Sequence, residues 1–400
     1  MSLLRSARFP AIVLLVAAVA ALLIANSPLG PGVVGLKDTY IGIPGVFEMS
    51  VGHWIQDGLL AVFFFMVAVE LQFELTNGEL NSARKALQPA IAAAGGVILP
   101  IAVFLFFAAG SDSARGWPIP TATDIAFALG VLAVFGKGLP SGIRIFLLAL
   151  AILDDIVGIV FIAVLFTDGV NLAMLALAAL AVIVFGVLSR QLDSRARIPV
   201  TIALVIVGIA TWVLAYESGV HATIAGVALG LAMAQRPALR TRHALEPWVN
   251  GVVLPLFAFS AALVIIPAVS PSQLAPAFWG VLIALPVGKV IGITLFGWIS
   301  LRIGNRGAAP HMSLADLLAA GALGGIGFTV SLLLSELAFS ADPLLRDEAT
   351  LGVLGGSLIS LVVAGALVAQ RARHYRRVAR TDAGDAQPVA PSTPTGGQLA

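Results

Sequence analysis

Twelve apolar stretches follow one another along this chain, each about as long as a bilayer is thick. That succession restricts the fold more than any other feature. A spanning helix needs roughly 20 mostly apolar residues. In lipid every backbone N–H and C=O must be bonded within the protein, which makes helices the means of crossing for runs of this length. The runs cover residues 10–26, 55–72, 88–109, 121–136, 142–166, 171–189, 198–216, 221–235, 248–267, 276–300, 315–338 and 349–370. Only 11% of the 400 residues are charged, against roughly one-quarter in a soluble domain. The expected fold is an all-α polytopic membrane protein of about twelve transmembrane helices, a single domain over residues 1–380. The segment 381–400, TDAGDAQPVAPSTPTGGQLA, is polar and rich in Pro, Thr and Gly, and reads as a disordered cytoplasmic tail.

The basic residues orient this topology. Cytoplasmic loops are enriched in Lys and Arg. With both termini inside, 19 of the 23 basic residues fall on the cytoplasmic side and only Lys37, Arg115 and Arg346 outside; the last, Lys289, lies within a span. Ala11 to Ala25 continues to Asn26 without a cleavage signal, so this run is expected to stay as the first helix. The longest connection, 27–54, contains TYIGIPGVFEM, which reads as a short β-hairpin in the first external loop. The absence of cysteine excludes disulfides and thiolate chemistry. It fits a bacterial inner-membrane protein. A net charge of +2 without long basic runs gives no sign of nucleic-acid binding.

Against this background the stretch ALAILDDIVGIV at 149–160 stands out. A charge at the bilayer centre costs at least about 2.5–3.5 kcal/mol on insertion scales, and so is rare and usually functional. The deep candidates are Asp124, Asp154, Asp155 and Lys289, with Glu70 and Glu74 at the inner end of the second run and Glu336 near the outer end of the eleventh. Ion pairs that merely hold helices together would also place charges here, but buried pairs stabilise weakly. Adjacent helical residues point roughly 100° apart. Asp154 and Asp155 therefore face different neighbours: one could face Lys289, the other a cation site shared with Asp124.

Two runs look interrupted. In WPIPTATDIAFALGVLAVFG, Pro118 and Pro120 precede TATD and only about a dozen apolar residues follow, short for a crossing. A break there lets a half-helix start in mid-membrane, with Thr121, Thr123 and Asp124 as caps or oxygen ligands. In AAGALGGIGFTVSLLLSEL, Gly321, Gly324, Gly325 and Gly327 are poor helix formers. They read either as close packing or as a second break. The fourth run is the middle of residues 88–166 and the eleventh the middle of 276–370. Three spans per unit give the two units opposite topology, the arrangement of inverted-repeat transporters. Asp124 can offset positive half-helix N-termini, and Lys289 negative C-termini.

HWIQDGLLAVFFF at 53–65, TATDIAFALGVLA at 121–133, IFLLALAILDDI at 145–156, SGVHATIAGV at 218–227, GKVIGI at 288–293 and GGIGFTVS at 324–331 occur in this order. Together they resemble the NhaA family of sodium/proton antiporters over residues 50 to 370. The resemblance implies a cytoplasmic-membrane antiporter with two crossed discontinuous helices, which is no enzyme and needs no cofactor. By position, Asp155 resembles the family's principal cation-binding aspartate. Asp154 resembles the neighbour that pairs with the membrane lysine, here Lys289, as charge compensator or proton carrier. Asp124 and Thr123 resemble residues at the helix break near the cation. The transient Na+ ligands implied are Asp155 and Asp124. His221 resembles a histidine linked to pH response, and Glu70 and Glu74 share that expectation. A homodimer through residues 27–54 is also implied. The chain departs from the pattern in places: Gln72 and Phe73 stand between Glu70 and Glu74 where basic residues are usual, and Arg242 where an acid is common. Ser260 follows Phe-Ala-Phe in place of an Asn-containing turn.

Sodium is a hard cation and takes oxygen ligands. Burial disfavours a charged acid, so protons compete with the metal for the same oxygens. That competition with alternating access suffices for Na+ (or Li+) exchange against H+. The resemblance adds electrogenic stoichiometry, with proton entry driving sodium out. An intramembrane aspartyl protease also needs two membrane acids, but it has no use for an aspartate-adjacent lysine. A passive cation channel would carry ions without competition from protons. A sodium-coupled symporter would need a pocket for an organic substrate, of which the sequence gives no sign.

Overall fold

A computed structural model describes residues 8–43, 47–78, 80–167, 169–194, 197–303 and 312–385. The hairpin turn expected at 44–46 and the tail beyond 385 lie outside them. Helix α1 (Arg8–Ala25) is followed by α2 (Gly30–Lys37), turned 116° from it. Strands β1 (Tyr40–Ile43) and β2 (Phe47–Ser50) pair antiparallel, Tyr40 opposite Ser50 and Ile43 opposite Phe47. The Ser50 hydroxyl accepts from His53 N and starts α3 (Val51–Thr76). Then come α4 (Ala83–Ala108), two 3-10 turns (Asp112–Gly116, Ile119–Thr121), α5 (Ile125–Phe135), α6 (Ser141–Leu165), α7 (Leu172–Ser189), α8 (Arg197–Glu217) and α9 (Thr223–Ala232). The chain ends with α10 (Gln235–Ala261), α11 (Pro276–Arg302), α12 (Leu314–Gly324), α13 (Phe328–Ala338) and α14 (Pro343–Asp385).

Eight of these helices are unbroken and apolar enough to cross a membrane. The 3-10 turns with α5, and α12 with α13, form two further crossings bent by 46° and 48°. With the bent pair α1–α2 that makes up to eleven spans by length and composition, and the place of the remaining expected run is taken by the ten-residue α9. Helices α3, α10 and α11 contain π turns, and the one at Ala284–Gly288 houses Pro286, whose missing N–H a wider turn tolerates.

Some boundaries differ from the hydropathy pattern. Helix α9 is shorter than 221–235, since Met233 and Ala234 are extended and the Ala234 N–H donates to Ser189 Oγ at 2.9 Å. Helix α10 starts at Gln235 instead of near 248, because TRHALEPW at a membrane surface can be helical without being apolar. GPGVVGLK is helical where the sequence suggests a loop. Helix α14 runs for 43 residues and takes 381–385 into the helix.

Each broken crossing lies between two unbroken helices, α4 and α6 in one case, α11 and α14 in the other. Helix α4 meets α11 at Gly95 and Gly292. A Cβ on Gly95 would stand 2.3 Å from the Gly292 carbonyl oxygen, and one on Gly292 2.1 Å from that of Gly95. Only glycine lets the two backbones come this close. The main core, with Leu14, Phe127, Leu285, Leu333 and Val353, surrounds the two breaks.

Candidate cation site

The breaks meet. Ala122 to Asp124 run extended between the 3-10 turn and α5, and Gly325 to Gly327 separate α12 from α13. The Asp124 N–H donates to the Ile326 carbonyl at 2.6 Å, the Thr123 hydroxyl lies 2.8 Å from the Gly324 carbonyl, and the Ser331 hydroxyl donates to the Ile119 carbonyl at 2.7 Å. Backbone groups freed by one break are thus satisfied by the other, as a dry interior requires.

Asp124 caps two helices at once. Its Oδ1 accepts from Phe127 N at 3.1 Å, in the first turn of α5. Its Oδ2 accepts from Thr329 N at 3.1 Å and Thr329 Oγ1 at 2.8 Å, in the first turn of α13. One buried carboxylate therefore faces the positive ends of both half-helices. Sequence reasoning does not single out Thr329. A Thr two residues past the glycine that opens a half-helix is the signal that marks it.

Lys289 is fully buried directly after the π turn of α11. Its three N–H groups match three acceptors: the Thr121 carbonyl at 2.5 Å, Thr123 Oγ1 at 3.1 Å and Asp154 Oδ2 at 2.7 Å. Asp154 Oδ2 also lies 2.7 Å from the Thr123 hydroxyl. That hydroxyl has one proton for two acceptors, Asp154 and Gly324, so it is shared or chooses between them.

Asp155 is different. Its carboxylate is buried, and among the described residues it makes no hydrogen bond or ion pair; Oδ1 has no partner, and neither does Asp154 Oδ1. The divergence of adjacent helical side chains is realised: Asp154 faces Lys289 and Thr123, and Asp155 faces neither. Among the described residues no three His, Cys, Asp or Glu side chains are gathered to hold a metal. What the crossing offers a cation is the set of open acid oxygens. Both oxygens of Asp124 already accept from helix ends, which does not fit the shared proton of an aspartyl protease.

The residues expected to respond to pH lie elsewhere. His221 precedes α9, where its carbonyl accepts from Ile224 N at 2.9 Å. Helix α9 packs on α3 with Gly226 against Ala61 and Gly230 against Phe65, so His221 lies toward the Trp54 end of α3. Glu70 and Glu74 lie at the other end. Arg242 forms an ion pair with Glu70, and Gln72 Nε2 donates to the carbonyls of Leu231 at 2.7 Å and Met233 at 2.9 Å. Arg242 is thus a compensated charge and not a free repulsive one.

Charge that is half compensated and half open, set where two half-helices meet in mid-membrane, is the equipment of an ion-coupled transporter. Known proteins agree. Residues 1–368 match the family described as Na+/H+ antiporter 1. The Na(+)/H(+) antiporter NhaA 2 of Clavibacter michiganensis subsp. michiganensis is 54% identical over 94% of this chain and 93% of its own length. The Na(+)/H(+) antiporter NhaA of Tropheryma whipplei is 45% identical over 91% of this chain and 94% of its own, and that of Streptomyces avermitilis 41% over 96% and 84%. The chain belongs to this family, the NhaA antiporters.

Proposed function

We propose that this multi-pass membrane protein extrudes Na+, and Li+ in its place, by exchange for H+ at the crossing of the two broken spans. Antiport follows from family membership; the site assignment rests on Asp155, a buried carboxylate with no partner of its own beside an acid that has several. Asp155 is the group for which cation and proton compete. Asp124 and the open Oδ1 of Asp154 are the further oxygens within the same crossing. Lys289 is the ion-pair partner of Asp154, and either can carry a second proton, which makes the exchange electrogenic.

The three-span units 88–166 and 276–370 act as inverted repeats in one transport domain, alternately opening the site to each side. With both termini inside, 19 of the 23 Lys and Arg residues fall in the cytoplasmic segments, which supports a bacterial cytoplasmic membrane in that orientation. The role that follows is sodium and pH homeostasis. In the hairpin, Tyr40, Ile41 and Ile43 of β1 are all exposed. An apolar, unpaired strand edge of this kind supports a homodimer through residues 27–54, in a setting of membrane lipid.

The test is proton movement in everted vesicles, followed by a ΔpH dye, on addition of Na+, Li+ or K+ from acid to alkaline pH. Sodium-dependent dequenching that weakens at low pH, where protons hold the site, is the expected result. Cation flux indifferent to an imposed pH gradient would mean a channel instead.

A further inference from the structure

Away from the crossing, two more acids are placed at the two ends of the broken span α12–α13. Asp316, fully buried in the first turn of α12, forms a capping box with Ser313. A capping box needs no other partner. Yet Arg371 Nε donates to Asp316 Oδ1 at 2.9 Å and Tyr375 OH to Oδ2 at 2.7 Å, both from α14. At the other end, Glu336 lies in the last turn of α13, where a negative charge opposes the helix dipole. Its partners, not the helix, account for it: Lys37 at 3.2 Å and Arg346 at 3.7 Å, the latter again from α14.

Arg346 and Arg371 are 25 residues apart in one unbroken helix. At about 100° per residue that is within about 20° of seven full turns, so both lie on one face, roughly 37 Å apart. Between them the same helix touches the break, since a Cβ on Gly325 would lie 2.8 Å from Ser360 Oγ. The first broken crossing has no such brace: among the described residues Arg115 and Lys137, at its two ends, make no ion pair.

We infer that α14 splints the broken span α12–α13, and that Asp316 is a positioning residue for the cation site. Helix α12 is a rigid rod of roughly 12 Å between Asp316 and Gly324. Held at Asp316 by Arg371 and Tyr375, it presents the Gly324 carbonyl to Thr123, the residue that contacts both Asp154 and Lys289. Release of the grip lets that carbonyl shift. Thr123 and Asp154 then lose their fixed relation, and cation binding weakens while the acids that exchange protons remain.

This inference rests on the reading of the crossing as the cation site, and the experiment separates the two. The full-length protein is reconstituted in liposomes as the unaltered chain and as Asp316→Asn, Asp316→Glu, Arg371→Gln, Asp316→Asn with Arg371→Gln, Tyr375→Phe and Asp155→Asn. Apparent KM for Na+, maximal rate and melting temperature are measured for each. Asp316→Asn and Arg371→Gln should each raise KM by about 3- to 10-fold with the maximal rate within about twofold. The double variant should be no worse than either single one, and Asp316→Glu should restore part of the loss. Should Asp316→Asn fail to fold, Tyr375→Phe removes one donor to the same carboxylate and should raise KM by about twofold. A lower melting temperature with unchanged KM in these variants, beside an inactive Asp155→Asn, overturns the positioning role. Native exchange by Asp155→Asn overturns the site and the positioning role together.

Discussion

The crossing and the seam where the last turns of α3 meet α9 and α10 are both held by ion pairs between distant parts of the chain, but in different solvents. At the crossing the side chains of Lys289 and Asp154 are 0% exposed. At the seam Arg242 and Glu70 are 31% and 20% exposed, and nearby Arg240 and Asp193 53% each. Charge in the first region is fixed: each member exists on condition that the other does, because an unpaired buried charge is costly. Charge in the second is adjustable, since water and salt moderate every change. The difference sets what each region tolerates: a change at Gln72, Phe73 or Arg242 is moderated by water and salt, and one at Asp154 or Lys289 is not.

The sharpest way to break the comparison is at its most buried point. Asp155→Asn keeps the shape but cannot trade a proton for a cation. Sodium-dependent proton movement should vanish while the purified protein keeps a cooperative melt; near-normal exchange would remove Asp155 from the mechanism. Next is the pair itself. Lys289→Ala leaves Asp154 buried without its ammonium and should destabilise by about 3–5 kcal/mol, read from unfolding in detergent. Asp154→Asn in the same chain should return part of that loss, and no recovery would show that the two are not coupled.

A smaller effect is expected from Thr329→Val, which deletes one hydroxyl donor to a buried carboxylate and keeps the backbone donor. The loss should be about 2 kcal/mol by the same unfolding measurement. A neutral result would mean that Asp124 does not need its bond to the second half-helix. The smallest change in stability belongs to the seam. Gln72→Lys, Phe73→Arg and Arg242→Glu together should cost about 1 kcal/mol or less. They should move the pH profile of exchange along its axis, with the maximal rate at saturating sodium nearly unaltered, because partly exposed charges set the local ion and proton concentrations. An unmoved profile assigns the pH dependence to the buried acids alone.

Both regions also show what a sequence discloses. Lipid makes charges and helix breakers conspicuous, so Asp154, Asp155, Lys289, the Pro118–Asp124 break and the glycines of 321–327 are all legible. The hairpin is legible too, from the β-rich stretch TYIGIPGVFEM and its Gly-Pro turn signals. The start of α10 is not, since Gln235 to Trp248 is charged and hydropathy registers only contact with lipid. The Arg242–Glu70 pair is hidden for another reason: its members are far apart in sequence, and either residue alone reads as a surface charge. Thr329 escapes notice because its donation to Asp124 depends on two breaks meeting, which no local pattern encodes. Hydropathy overestimates the length of α9, because Met233 and Ala234 are apolar and leave the helix only to reach Ser189.

The double cap at Asp124 has a kinetic side. Two half-helices that share one carboxylate cannot part without stranding N–H donors in a medium that offers no substitute. The crossing therefore travels as one piece. What ties it to the surrounding helices is a second set of polar contacts, Lys289 and Asp154 at its centre and Arg346, Arg371 and Tyr375 at its ends. A transporter built this way keeps a rigid centre, and any rearrangement that opens it must be made in those surrounding contacts.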